Sequence, residues 1–235
     1  MKIVLLGYGK MGKLIEEKAI SRGHSIHLVI DDATWTPNAI EGADVAIEFS
    51  NPESAKDNIL KSFEAKVPIV VGTTGWYDDL EEIKKKMNEK HGAILPATNF
   101  SLGVNIFFEV NRVLAKIMNK KEEYAVGVQE IHHTQKLDSP SGTAITTANI
   151  LLDEIERYNS WQENDSDKEN SIAIEALRKP DVPGTHTVSY VSDVDQLAIK
   201  HTAKSRDGFA LGAVLAAEFL KGKTGYFTMK DLIKL

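Results

Sequence analysis

A short apolar run, then Gly7-Tyr8-Gly9-Lys10-Met11-Gly12, then a helical stripe constrain this chain more than any other feature. Met1 to Leu6 (Met-Lys-Ile-Val-Leu-Leu) has the uninterrupted apolar character of a strand buried on both faces, as parallel strands are. Met11, Leu14, Ile15 and Ala19 then recur at helical spacing. A G-x-G-x-x-G between a strand and a helix carries a physical reading that the same letters lack in isolation. Gly7 permits a tight turn, Gly9 lets a pyrophosphate approach the backbone, and Gly12 lets helix and strand pack closely. The alternative is a glycine-rich turn with no ligand.

The alternation of strand and helix continues for a hundred residues. A second strand, Ser25 to Ile30, ends at Asp31-Asp32, where an acidic side chain would read the ribose hydroxyls of an adenosine. No Arg or Lys adjoins this pair in sequence to neutralise a ribose phosphate, which favours NADH and leaves NADPH as the second choice. A turn-forming Asp pair is the plainer reading. Asp44 to Phe49 is a third strand, followed by the helix cap Asn51 with Pro52 at the first helical position. Pro68 to Val71 is a fourth, ending in Gly72-Thr73-Thr74-Gly75. Ligands of an open parallel sheet sit beyond the carboxyl ends of its strands, which places this turn on the cofactor side unless it is a plain turn. A helix from Asp79 to Glu89 carries Lys84-Lys85-Lys86 on a solvated face. A fifth strand, Ala93 to Leu95, leads through Pro96-Ala97-Thr98-Asn99-Phe100-Ser101 into a long helix, Leu102 to Met118.

Beyond Ser101 strands succeed one another, and one stretch concentrates chemistry: Glu130-Ile131-His132-His133-Thr134-Gln135-Lys136-Leu137-Asp138-Ser139-Pro140-Ser141-Gly142-Thr143-Ala144. Tyr124 to Ile131 alternates with period two, so a strand reaching His132 puts Tyr124, Val126, Val128, Glu130 and His132 on one face and His133 on the other. From Thr143 the spacing turns helical, with Ser141 at the N-cap and Gly142 opening the backbone to an approaching group. Free amides at a helix start, with Lys136 upstream, make an anion site beside a titratable His. That suits an anionic small molecule that must receive a proton. A solvated pair of His and an ordinary capped turn is the bland alternative.

Further strands are expected at Ile172 to Leu177, Thr185 to Val191 and Leu197 to Thr202, with Tyr158 to Asn170 an exposed loop. His186 and His201 read as structural or interface residues, and no metal-ligand spacing stands out. Phe209 to Leu220 is a helix apolar enough to return to the first domain, followed by a short helical Met229 to Leu235. The fold class is α/β with a second, α+β sheet domain. The expected division is 1–101 with 208–235 and, between them, 102–207.

Composition removes other classes. A formal charge of −6 argues against non-specific nucleic-acid binding. The absence of cysteine excludes disulfides and thiolate metal sites. No apolar run approaches a membrane span, and the chain opens on a strand with no signal-peptide pattern, so a cytoplasmic protein is expected.

The run Glu130-x-His132-x-x-x-Lys136-x-Asp138-x-Pro140-Ser141-Gly142-Thr143-Ala144 resembles the signature of the bacterial dihydrodipicolinate reductases, enzymes of diaminopimelate and lysine biosynthesis. Gly7 to Gly12, Gly72 to Gly75, Asn99 to Asn105, Val182 to His186, Ser205-Arg206 and Gly225 to Asp231 fit the same family in the same order. The resemblance implies a Rossmann dinucleotide-binding domain completed by the C-terminal segment, an inserted α+β substrate-binding and oligomerisation domain, and a homotetramer. It implies His132 as acid/base and Lys136 as proton donor, with His133, Ser141, Gly142 and Thr143 on the carboxylates of a cyclic dicarboxylate substrate. It assigns Gly7, Gly9, Lys10, Met11, Gly12, Asp31, Gly72, Thr73, Thr74, Ala97, Thr98, Asn99 and Phe100 to the dinucleotide. The reaction would be hydride transfer from NAD(P)H followed by protonation of the neighbouring carbon. The chain is shorter than many members between Asp32 and Asp44, and Asp32 stands where a basic residue often follows the ribose-binding acid. A related amino-acid or imino-acid dehydrogenase and a non-catalytic NAD-binding regulator are the competing readings.

Overall fold

A computed structural model describes residues 1–32, 34–164 and 170–233. Two compact units emerge, Met1–Leu102 with Asp207–Leu235, and Gly103–Arg206.

The first unit is built on β1 (Lys2–Leu6), β2 (Ser25–Ile30), β3 (Val45–Glu48), β4 (Ile69–Val71), β5 (Ala93–Pro96) and β11 (Gly225–Tyr226). They form one sheet in the order β11-β5-β4-β3-β1-β2, with every pairing parallel. The apolar run of β1 has no polar alternation because both faces are covered. Ile3 and Leu5 pack with Ile15 and Ala19 of α1 (Lys10–Ser21) and with Ala213 and Ala217 of α6 (Asp207–Leu220). Val4 and Leu6 pack on the other side with Ile59 and Phe63 of α2 (Pro52–Glu64) and Ile83 of α3 (Leu80–Lys90). Each such side chain contributes roughly 1.5–3 kcal/mol of transfer free energy, so losing either helix layer would strand half the strand's apolar surface. Asn51 starts α2 by accepting from the Ser54 amide at 2.9 Å, with Pro52 just inside. Met229–Ile233 forms a last helix, α7, and the expected extension to Leu235 lies outside the described residues.

The second unit carries a mixed sheet in the order β10-β9-β6-β8-β7. β6 (Ala125–His132) is central, antiparallel to β9 (Gly184–Val191) and parallel to β8 (Ser171–Arg178). β10 (Gln196–Ala203) and β7 (Ser160–Glu163) are the edges. Val126, Val128, Ile174 and Val188 meet Phe107 and Ala115 of α4 (Leu102–Met118) and Ala148 and Leu151 of α5 (Gly142–Glu154). β6 alternates as its sequence implies, with Val126, Val128, Glu130 and His132 all buried.

Two expectations change. Part of the loop expected over 158–170 is strand β7, which pairs in parallel with β8; residues 165–169 lie outside the described set. Ser-Trp-Gln-Glu alternates too briefly to register as a strand. β11 is also new: two residues are enough because the sheet supplies the neighbour. No helix among the described residues is long and apolar enough to cross a membrane.

Helix α6 is rich in Ala and Gly because it lies against backbone. A Cβ added to Gly212 would sit 1.7 Å from the Phe100 carbonyl oxygen, whereas one on Gly9 would meet nothing within 4 Å. Gly212→Ala should therefore destabilise the protein by about 3 kcal/mol through overpacking, with Gly9→Ala near neutral. Urea denaturation of both variants tests this, and equal midpoints would refute the close approach.

Candidate active site

In the first unit the strand order reverses between β2 and β3 on either side of β1, and a cleft of about 360 Å³ opens at the carboxyl ends of these strands. Leu6 to Gly9, Ile30 to Asp32 and Phe49 to Asn51 line it. The three glycines have separable reasons. Gly7 has φ +93° and a Cβ there would lie 2.2 Å from the Phe49 carbonyl oxygen. A Cβ on Gly12 would lie 2.5 Å from the Gly7 carbonyl oxygen. Gly9 alone faces open space, the property wanted where a phosphate approaches. Asp31 accepts from the Tyr8 amide at 2.8 Å, tying the acid to the glycine turn. Lys10, Met11, Gly72, Thr73 and Thr74 line an adjoining cleft with Gly9, Phe49 and Ser50. Gly72 is required by the Phe49 ring, which a Cβ would approach to 2.2 Å. Ala97, Thr98, Asn99 and Phe100 follow β5 and line neither cleft; Asn99 accepts from the Ser101 amide at 2.8 Å.

In the second unit a buried carboxylate gathers the polar groups. Glu130 is fully buried, and its Oε1 accepts from the Ser141 amide at 3.0 Å and from Arg178 Nη1 at 3.2 Å. Its Oε2 lies 2.8 Å from His132 Nδ1 and 3.8 Å from His186 Nε2. The sheet dictates this: Glu130 and His132 share a face of β6, and the β6–β9 register sets His186 opposite Glu130. Arg178 ends β8 opposite His132 and also donates to the Asp138 carbonyl at 2.8 Å, anchoring the loop after β6. A Cβ on Gly184 would come within 2.9 Å of His132 Nε2, so glycine there is what admits the imidazole. Ser141 caps α5, accepting from the Ala144 amide at 3.2 Å, and its Oγ is 3.2 Å from His186 Nε2. Lys136 Nζ donates to both Asp138 oxygens, at 2.7 and 2.8 Å.

The chain matches the family models for the dihydrodipicolinate reductase N-terminus over residues 1–100 and C-terminus over residues 103–233. It is 52% identical over 235 residues to the 4-hydroxy-tetrahydrodipicolinate reductase of Christiangramia forsetii, covering 99% of this chain and 98% of that one. The chain belongs to the dihydrodipicolinate reductase family. It is also 34% identical to the reductase of the same name from Thermosipho africanus, over 100% of this chain and 98% of that one. In fold it is similar to a dipicolinate-bound dihydrodipicolinate reductase from a Paenisporosarcina species, with TM-score 0.80, 18% identity and 97% of each chain covered. That likeness bears out the α/β class with a parallel dinucleotide-binding-type sheet and a second sheet.

The sequence-predicted residues of this family member divide accordingly. His132 and Ser141 converge on Glu130. Lys136 is held two residues along by Asp138. Gly142 is exposed and Thr143 half-buried at the start of α5, and a Cβ on Gly142 would meet nothing within 4 Å. His133 is half-buried just past the strand. His186, read from sequence as structural or interfacial, sits in the Glu130 cluster. Glu130 as hub, Arg178 and Gly184 went unread, because only strand register joins them. In the first unit, buried Glu48 was missed. It accepts from the Ser50 amide at 3.1 Å and from Asn58 Nδ2 at 3.4 Å beneath the cleft. Asp32 accepts from the Thr34 amide and hydroxyl, both at 2.8 Å, which hold its pKa down, with Lys61 adding a smaller lowering. That cation is 29 positions away in sequence and was also unread.

Burial pushes the Glu130 carboxyl up, but His132 and Ser141 outweigh it and bring the pKa down to about 2. Burial pushes the His186 imidazole down, His132 adds to this and Glu130 opposes it, leaving about 3. Both folded values lie below the unfolded ones, so both stabilising contributions are complete above the unfolded pKa and lost as pH falls towards the folded one. For His186 the loss begins near 6.5, and for Glu130 near 4.5. Between pH 7 and 5, His186 should therefore remove about 2 kcal/mol of stability, set by titration of the unfolded chain. Urea unfolding with EDTA present should show that slope in the wild type and a flatter one in His186→Gln. Equal slopes would mean that His186 is not held neutral.

Proposed function

We propose that this chain reduces 4-hydroxy-tetrahydrodipicolinate to tetrahydrodipicolinate in diaminopimelate and lysine biosynthesis, with the first unit holding NAD(P)H and the second the substrate. One observation supports the site assignment: the buried Glu130 carboxylate lies 2.8 Å from His132 Nδ1 and accepts from the Ser141 amide at the start of α5. Full-length identity to reductases of that name supports the reaction.

The residues of the first unit fit a dinucleotide. Gly9 leaves the space a pyrophosphate needs, Asp31 stands at the end of β2 where ribose hydroxyls would be read, and Thr73 and Thr74 line the adjoining cleft. Lys10, Met11 and Ala97 to Phe100 belong to the same assignment. The reduced nicotinamide, when bound, supplies the hydride. Every other task falls to the chain. Gly142 and Thr143 at the start of α5 and the ammonium of Lys136 bind one substrate carboxylate, with His133 and the Ser141 turn completing that corner. The substrate hydroxyl leaves as water with a proton from the neighbouring ring carbon, which forms a conjugated double bond; the hydride then adds to the carbon that bore the hydroxyl, and a proton returns to its neighbour. Lys136 supplies that proton, and His132, kept in one orientation by Glu130, manages proton exchange at Nε2. NADH is favoured over NADPH because Asp31 and Asp32 both line the cleft and would repel a ribose phosphate held there.

A homotetramer belongs to the same proposal. Ile106, Val110, Val113 and Ile117 form an exposed apolar stripe on α4, and β10 is an open edge strand exposing Leu197, which are surfaces a second copy would cover. A cytoplasmic location goes with dependence on a nicotinamide dinucleotide.

Turnover is tested by loss of nicotinamide absorbance with freshly made substrate, run with NADH and NADPH in parallel. Lys136→Ala should lower kcat by about 100-fold to 1,000-fold with NADH still bound; near-normal kcat would remove Lys136 from the proton transfer. Asp32→Arg should move the NADPH/NADH ratio of kcat/KM towards NADPH by about tenfold, roughly 1.4 kcal/mol. An unmoved ratio would mean that Asp32 only forms its turn with Thr34.

A further inference from the structure

We propose that Glu130, His132 and His186 form a binding site for a divalent transition-metal ion of the zinc type, and that occupancy withdraws His132 from proton chemistry. The inhibitory consequence rests on the function proposed above; the binding does not.

The three side chains are buried, and one donor atom from each lies within 4.8 Å of the other two. Two imidazoles and one carboxylate suit zinc, cobalt or nickel and not magnesium or calcium, which take oxygen. In a four-coordinate site with ligand bonds near 2.1 Å, neighbouring donors stand about 3.4 Å apart. The Glu130 Oε2 separations of 2.8 Å from His132 Nδ1 and 3.8 Å from His186 Nε2 fall on either side of that value. A shift of about half an ångström at each contact would reconcile them, together with closer approach of the two imidazole donors, which lie within 4.8 Å of one another.

The hydrogen bonding points the same way. Oε1 is fully engaged by Ser141 and Arg178, which fixes the carboxylate plane and turns Oε2 towards the imidazoles. Oε2 and His132 Nδ1 are both buried and 2.8 Å apart, and among the described residues neither has a further hydrogen-bond partner. Strand register makes the donor set rigid, since His186 stands opposite Glu130 and His132 lies two residues further along the same face.

Two groups limit affinity. The Ser141 hydroxyl, 3.2 Å from His186 Nε2, must release that nitrogen, and the Arg178 guanidinium places a like charge on the far oxygen of Glu130. Binding in the micromolar range is therefore expected, suited to reversible inhibition and not to a permanent structural ion.

Cobalt(II) titration of the intact protein, followed by visible d–d absorption, is the test. Roughly one equivalent should bind and be displaced by zinc. His186→Gln and His132→Asn should each weaken binding by at least about tenfold, with His133→Asn unchanged and circular dichroism confirming the fold. Absence of saturable binding, or a His186→Gln titration matching wild type, would overturn the site. Zinc should also inhibit wild-type turnover, with recovery on adding EDTA. Turnover without cobalt binding would sink this proposal alone, whereas cobalt binding without turnover would sustain the site and overturn the reaction.

Discussion

The buried carboxylate of Glu130 is the constraint on which the second unit depends. A charge taken out of water must be paired and hydrogen-bonded, and leaving one partner missing typically costs about 3–5 kcal/mol. Glu130 meets that demand with groups from four places: the Ser141 amide at the start of α5, Arg178 at the end of β8, His132 on its own strand and His186 on β9. Satisfying one side chain therefore fixes the direction of α5, the loop from Lys136 to Ser141 and the orientation of the imidazole. Arg178 extends the arrangement by donating to the Asp138 carbonyl. Loop residues that would otherwise move are tied to the most rigid part of the sheet.

The first unit reaches its geometry by a different route. Its strands are short and apolar on both faces, so helices must cover both, and right-handed crossovers between parallel strands bring every strand–helix turn to one end of the sheet. The glycine turn after β1, the Glu48-Phe49-Ser50 corner and the Gly72 turn thus meet without any long-range polar contact to guide them. Phe49 is the joint among them: its carbonyl forbids a side chain on Gly7 and its ring forbids one on Gly72.

This difference explains what could be read in advance. Signals local in sequence were legible: the buried run of β1, the period-two pattern of β6, the Asn51 and Ser141 caps, and the G-x-G-x-x-G between strand and helix. Contacts made by register were not. Nothing in the letters says that His186 faces Glu130 or that Arg178 stands opposite His132, because strand pairing is chosen by the whole sheet. β7 and β11 escaped for a related reason: strands of four and two residues are held by their neighbours and carry almost no pattern of their own. Glu48 hid inside a run whose apolar neighbours defined it as a strand. Lys61 reaches the surroundings of Asp32 only because α2 follows β3 in space.

Two carboxylate–cation pairs in the second unit show how burial separates organisation from chemistry. Glu130 and Arg178 are 3.2 Å apart with the carboxylate fully buried, so the pair cannot open without exposing an uncompensated charge. Lys136 and Asp138 are closer, at 2.7 Å, and the two cations are equally covered, at 20% exposed for Lys136 and 21% for Arg178, but Asp138 is 61% exposed. A pair whose carboxylate is open to solvent is worth about 0–1 kcal/mol, because water replaces the lysine at that carboxylate readily. The Lys136 side chain can therefore exchange that carboxylate for another. An arriving dicarboxylate would offer the same chemistry that Asp138 offers, with the amides of α5 to hold it. The buried pair sets where the loop is, and the exposed pair leaves its lysine ready for exchange.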